Sequence, residues 1–178
     1  IAVYDMRVGT GKIEKEYSYE EAYNIVLDAT RVLGDDYNEI MKKAKQERWL
    51  DVYANEGKDT GAFSWGYYGK HPVVLLNYES TLTDVFTIAH EMGHSMHTYY
   101  SNLNQPSTKA GYEIFVAEVA STVNEILLSD YQIKNEKDNK KKAELLYELL
   151  EMIRATLFRQ AMFAEFEKDI HNQNMNGV

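Results

Sequence analysis

The sequence contains no cysteine in its 178 residues. Disulfides and thiolate metal sites are therefore excluded, and any metal ion must be held by histidine and carboxylate. No apolar run approaches the roughly 20 residues of a membrane span, and no leader pattern of basic then apolar residues opens the chain. The expected location is the cytoplasm, with no membrane partner. Basic residues are in the minority, 19 Lys and Arg against 28 Asp and Glu, for a net charge of -9. Binding phosphates needs clustered Lys and Arg, so no nucleic-acid partner is expected. The acidic excess reads as solubility. Internal repeats and low-complexity tracts are lacking. Proline is scarce, 2 residues in all, and neither falls in the stretch around which the chain is organised.

That stretch is Thr87-Ile88-Ala89-His90-Glu91-Met92-Gly93-His94-Ser95-Met96-His97. It contains H-E-x-x-H, with His90, Glu91 and His94. On a helix, residues four apart lie one above the other on the same face. Two imidazoles so placed can hold one Zn²⁺, and the glutamate beside the first can handle a bound water's proton. The flanking pattern supports the helix: Leu82, Val85, Phe86, Ala89 and Gly93 recur at three- and four-residue spacing. Ser80 or Thr81 can cap its start, with Asp84 in the first turn to complement the dipole.

The remaining chain suits one globular segment, 1–178, that can also be part of a larger protein. Ile1 to Tyr4 reads as an extended run, and Gly9 to Lys12 as a loop. Ser18 and Glu21 form a capping box before a helix that Gly34 stops. Asp35 or Asp36 opens a second helix through Tyr37, Ile40, Met41 and Ala44. Residues 47–78 then read as a small sheet region, with strand candidates Trp49 to Tyr53, Ala62 to Trp65 and Val73 to Tyr78 punctuated by glycines. Residues 80–130 hold the H-E-x-x-H helix, a polar loop from Asn102 to Gly111, and a second, buried helix through Ile114, Phe115, Ala117, Val119, Val123 and Ile126. A charged connector spans Asn135 to Lys142. A last helix of about thirty residues runs from near Lys141 through Ile170, long enough to span a helical bundle.

A catalytic zinc usually takes three protein ligands and one water. The candidates for the third are His97, Glu113, Glu118 and Glu125. His97 lies one further turn along, and turns are about 5.4 Å apart against a Zn–N bond of about 2 Å, so it cannot reach the same ion. The spacing H-E-x-x-H-x-x-G-x-x-H is absent as well: His97 stands where the glycine would be, and Tyr100 where the third histidine would be. A glutamate of the following helix remains. Glu118 sits in Phe115-Val116-Ala117-Glu118-Val119-Ala120-Ser121, a run apolar enough to be buried, where a carboxylate needs a partner or a metal; the other reading is a lone glutamate on an exposed helix face. Glu125, seven residues on, reads either as an acceptor for a ligand imidazole's other N–H or as an ordinary surface carboxylate.

The segments His90 to His97 and Phe115 to Glu125 resemble oligoendopeptidase F, a branch of the thimet-oligopeptidase-like zinc peptidases. The resemblance extends through Glu47-Arg48-Trp49-Leu50-Asp51-Val52-Tyr53, Gly61-Ala62-Phe63-Ser64-Trp65-Gly66 and Arg159 to Phe166, and so covers nearly the whole chain. It implies a mainly α, multi-helical zincin-like fold (neurolysin/oligoendopeptidase-like) with a small β-sheet beside the zinc helix. It implies one Zn²⁺ on His90, His94 and Glu118, with Glu91 as base and His97 typical of the family without being a ligand. The implied activity is cleavage of internal bonds in short, unfolded peptides. Backbone groups near Ala62 and Phe63 can pair with an extended peptide, or only within the sheet. Family members carry an N-terminal helical part and a C-terminal His- and Tyr-rich loop that find no match here. The chain is therefore expected to be the zinc-bearing core of a longer enzyme, the rest of the parent chain missing. Rival expectations are a zinc-binding helical fragment without activity, and a helical interaction module without metal.

Overall fold

A computed structural model describes residues 15–175. The expected extended run at Ile1 to Tyr4 and the loop at Gly9 to Lys12 lie outside the described residues. The described residues fall into two compact units, 15–135 and 136–175.

The first unit opens with α1 (Tyr19–Ala29), whose N-cap is Ser18. The Ser18 hydroxyl accepts the Glu21 N–H at 3.2 Å, but the Glu21 carboxylate turns to Lys15 at 2.6 Å, so half of the expected capping box forms. A 3₁₀ turn (Thr30–Leu33) follows and ends at Gly34, whose φ of 102° suits glycine. Helix α2 (Asp35–Gln46) comes next. The strands are shorter than the sequence suggests: β1 (Leu50–Asp51), β2 (Phe63–Trp65) and β3 (Val73–Leu75). They form a sheet of order β1-β3-β2, parallel between β1 and β3 and antiparallel between β3 and β2. The polar connections shorten the ladders. Asn77, past the end of β3, spends its Nδ2 on the carbonyls of Asp59 and Gly61, both at 2.9 Å, and so shapes the loop before β2.

Helix α3 (Leu82–Asn104) runs through the middle of this unit. Its buried residues Val85, Ile88, Ala89, Met92 and Met96 follow the i, i+3, i+4, i+7 spacing of one helix face. They pack with Tyr23 and Val26 of α1, Met41 and Ala44 of α2, and Val74 and Leu76 of the sheet region into one core. The Tyr23 hydroxyl keeps a partner there, the Met41 carbonyl at 2.8 Å. Trp49 is fully buried and lies flat on His71, with 5.0 Å between ring centroids.

Helix α4 (Ile114–Asn135) corrects one expectation. Its buried residues are Ser121, Asn124, Leu128 and Ser129, whereas Phe115, Val119, Val123 and Ile126 are exposed. The polar and small face of α4 is turned inward and its apolar face outward. In the second unit, α5 (Asn139–Ile153) and α6 (Arg159–Met175) are joined without a break by a π-helical stretch, Arg154–Phe158. Leu145 is buried in this unit, and Leu150, Leu157, Phe158, Met162 and Phe166 are exposed. No helix among the described residues is long and apolar enough to cross a membrane.

The start of α3 settles which residue caps it. Thr81 accepts the Asp84 N–H at 3.2 Å, and Asp84 Oδ2 accepts the Thr81 N–H at 2.8 Å, a complete capping box. Ser80 instead holds a φ of 65°. Thr81→Ala is expected to lower unfolding stability by about 1 kcal/mol. Ser80→Gly is expected not to lower it, because glycine takes that φ without strain. Paired urea denaturation curves check both.

Candidate metal centre

Helix α3 carries His90 and His94 one turn apart, with rings edge to face and centroids 4.7 Å apart. Their Nε2 atoms lie 3.1 Å from each other. Glu118 Oε2, from α4, stands 3.5 Å from His90 Nε2 and 3.7 Å from His94 Nε2. Tetrahedral zinc with bonds of about 2.0–2.1 Å sets its ligand atoms about 3.3 Å apart, and the three distances bracket that value. Among the described residues, these three form a group whose ligand atoms all lie within 4.8 Å of one another.

The protons point the same way. His90 Nδ1 contacts Glu125 Oε1, so the imidazole donates there and turns an Nε2 lone pair inward. The His94 ring has a backbone partner in Ala117. Two imidazole nitrogens and a carboxylate oxygen thus converge, and a positive charge between them, a proton shared by the imidazoles or a metal ion, offsets the crowding of their electron pairs. The donor set fits zinc. Burial pulls the His90 imidazole down, but the carboxylates of Glu125, Glu91 and Glu118 together outweigh it and raise its pKa. Burial, followed by the neighbouring His90, lowers that of His94.

Glu91 is 6% exposed. Its Oε2 is buried without a hydrogen-bond partner. Burial raises its pKa, His90 opposes the shift, and the nearby Glu118 and Glu125 reinforce it. A buried, unpartnered carboxylate oxygen near three converging donor atoms is suited to accept a proton from outside the protein.

Glu118 reaches this place by a route other than the burial expected of it. Its side chain is 46% exposed, and the apolar residues around it, Phe115 and Val119, face out. The Ser121 hydroxyl lies 2.9 Å from Glu118 Oε2 and steadies it. His97 stays outside the cluster: its ring stacks on Tyr112 at 3.8 Å, and its Nδ1 is buried without a partner. Glu113 is exposed, one residue before α4.

Ala62 and Phe63 lie at the start of β2, an edge strand whose outer side pairs with no strand among the described residues. Gly61 and Ala62 share a cavity of about 470 Å³ with Asp84 and Thr87, one turn before His90. Further along, the hydroxyls of Ser64 and Ser95 meet at 2.8 Å. Gly66 then comes so close to α3 that a Cβ there would lie 2.6 Å from Thr98 Cγ2. Strand β2 therefore runs beside α3, in the same direction, past the turn that bears both histidines.

One residue with structural consequences was read in the sequence only as part of an apolar stripe. A Cβ on Gly93 would stand 2.6 Å from Ser121 Cα and 2.7 Å from the Ala120 carbonyl oxygen. The close crossing of α3 and α4 is made there, and it brings Glu118 and Glu125 to the histidines. The available signal was a glycine in mid-helix, where it costs about 1 kcal/mol relative to alanine and so calls for a packing reason.

Fold and site together define a mainly helical protein with a small sheet beside an H-E-x-x-H helix and a His-His-Glu donor set. Residues 4–178 match peptidase family M3, and the chain belongs to that family. Oligopeptidase PepF of Bacillus subtilis is 46% identical over 160 residues, which is 90% of this chain and 24% of that protein. An oligoendopeptidase F homolog of Borreliella burgdorferi is 47% identical over 172 residues, 94% of this chain and 29% of that one. A crystal structure from Chlamydophila abortus matches with a TM-score of 0.84 at 45% identity, covering 94% of this chain and 28% of that one. Oligoendopeptidase-F from Enterococcus faecium matches with a TM-score of 0.53 at 28% identity, covering 93% and 24%. The chain thus spans between 24% and 29% of the length of these relatives.

Gly93→Ala separates propensity from packing. In an isolated helix alanine would stabilise by about 1 kcal/mol. At this crossing the methyl group collides with backbone, so the variant is expected to lose about 1–3 kcal/mol of stability. Chemical denaturation of the metal-free protein checks the sign.

Proposed function

We propose that this chain carries the metal-binding and base-bearing part of a zinc endopeptidase that acts on short, unfolded peptides. The convergence of His90 Nε2, His94 Nε2 and Glu118 Oε2, with an unpartnered Glu91 oxygen beside them, carries this reading. A zinc ion held there would polarise the scissile carbonyl and acidify the attacking water. Glu91 Oε2 takes the water's proton and passes it to the leaving amine. Glu125 holds His90 through Nδ1 and keeps its Nε2 free of a proton. The outer edge of β2 offers the backbone at Ala62 and Phe63 to an extended peptide, which β-augmentation would align alongside α3. In domain terms, residues 80–130 supply every ligand and residues 47–78 the peptide-facing edge.

An alternative reading is a zinc-binding helical segment with no turnover of its own. It is favoured by the small share of the relatives' length that the chain covers.

Two variants test the proposal. Wild type is expected to hold one zinc per chain, and Glu118→Ala to lose most of it. Undiminished zinc in that variant would remove Glu118 from the ligand set. Glu91→Gln is expected to keep its zinc and to lose cleavage of a quenched fluorescent peptide by at least about 10²-fold, the lower range of the usual contribution of a positioned base. Wild-type protein that holds zinc yet cleaves nothing would select the alternative.

A further inference from the structure

The helices α2, α3 and α4 meet at one buried amide to which the proposed chemistry gives no part. Asn124 is 1% exposed. Its Nδ2 donates to the Ala89 carbonyl at 3.0 Å and to the Tyr37 hydroxyl at 2.9 Å. The same hydroxyl donates back to Asn124 Oδ1 at 3.0 Å. Only the nitrogen end of the amide can face a carbonyl, so the contact with Ala89 fixes which way Asn124 points. Tyr37 lies against Tyr100 of α3, with ring centroids 6.5 Å apart. Burial pushes its phenol up to about 12, with the Asn124 hydrogen bond opposing, so it remains a donor at ordinary pH.

The position of this network gives it a role. Ala89 precedes His90, and Asn124 precedes Glu125, which contacts His90. One turn earlier on α4, Ser121 abuts Gly93, and one turn before that Glu118 faces both imidazoles. The two helices are thus in register along the pairs 118 with 90 and 94, 121 with 93, and 124 with 89. The buried face of α4 offers Leu128 as its large apolar residue. Apolar contact is non-directional and sets register poorly, whereas a buried amide with fixed partners sets it well.

We infer that Asn124 and Tyr37 are positioning residues, a clamp that locks the register of α4 on α3 so that Glu118 and Glu125 meet His90 and His94. The inference rests on the zinc reading above. Neither residue touches the inward nitrogens of the histidines, so the clamp acts through the backbone at Ala89.

The test separates positioning from stability. Replacing both polar partners by apolar groups of similar shape leaves no buried orphan and can be nearly neutral for folding. The double variant Tyr37→Phe with Asn124→Leu is therefore expected to unfold cooperatively at close to the wild-type temperature. Its zinc affinity, measured by chelator competition well below that temperature, is expected to fall about 10–100-fold, the usual cost of losing an outer partner of a metal site. The visible spectrum of the Co²⁺-loaded variant is expected to change as the ligand geometry loosens. A folded double variant with wild-type zinc affinity and Co²⁺ spectrum would overturn the inference. Should the double variant fail to fold, Tyr37→Phe alone, which removes a single oxygen, decides: weaker zinc with unchanged circular dichroism supports the clamp, and unchanged affinity overturns it. A wild-type chain that binds no zinc would sink both this inference and the functional reading, whereas wild-type-like variants of a zinc-binding parent sink the clamp alone.

Discussion

The close crossing of α3 and α4 at Gly93 and Ser121 governs the rest of the site. With no side chain at 93, the α4 backbone comes so near that an added Cβ would sit 2.6 Å from Ser121 Cα. Helices usually pack with axes 8–10 Å apart, the distance set by the side chains at the contact. A zinc ligand has to be placed to within a few tenths of an ångström of about 2 Å. Glu118 is a short side chain on the neighbouring helix, and it meets two imidazoles only if the helices approach this closely. Packing at a single residue therefore sets the meeting of side chains one turn to either side.

The same requirement accounts for the inverted face of α4. A helix that must bring carboxylates, a serine and an asparagine to its neighbour cannot also turn its phenylalanine and valines there. Ser121, Asn124 and Ser129 lie on the buried face, and Phe115, Val119 and Ile126 take the opposite side. Polar burial of this kind is tolerated because partners are supplied: Ser121 reaches Glu118, and Asn124 reaches Ala89 and Tyr37.

Those facts also explain what was legible beforehand. The capped α1, the stop at Gly34, the start of α2 and the capping of α3 all rest on local rules, in which a side chain meets backbone a few residues away. The H-E-x-x-H pair was legible for the same reason, since four residues on a helix fix the geometry. The strands were placed correctly and drawn too long, because Asn77 and the glycine loops interrupt ladders that β-propensity alone would extend. The apolar side of α4 has no cover among the described residues, because an apolar run shows which residues prefer cover and not which element supplies it. Gly93 and Asn124 act across the helix interface, at sequence separations of 28 and 35 residues from Ser121 and Ala89, where no local pattern reports contact.

The electrostatics of the centre take their meaning from the ion the donor set fits. Glu91, Glu118 and Glu125 are three carboxylates around two imidazoles, and in the protein alone this crowding adds to burial in raising the Glu91 pKa. A divalent cation at the focus of His90, His94 and Glu118 would become the largest local charge and invert that logic. It would offset the repulsion from Glu118, favour the anionic form of Glu91, and keep both imidazoles neutral by occupying their Nε2 lone pairs. Burial is the larger cause of the raised Glu91 pKa, and the nearby Glu118 and Glu125 add to it. Glu91 Oε2, buried without a hydrogen-bond partner, would stay available to take a proton with a cation so held.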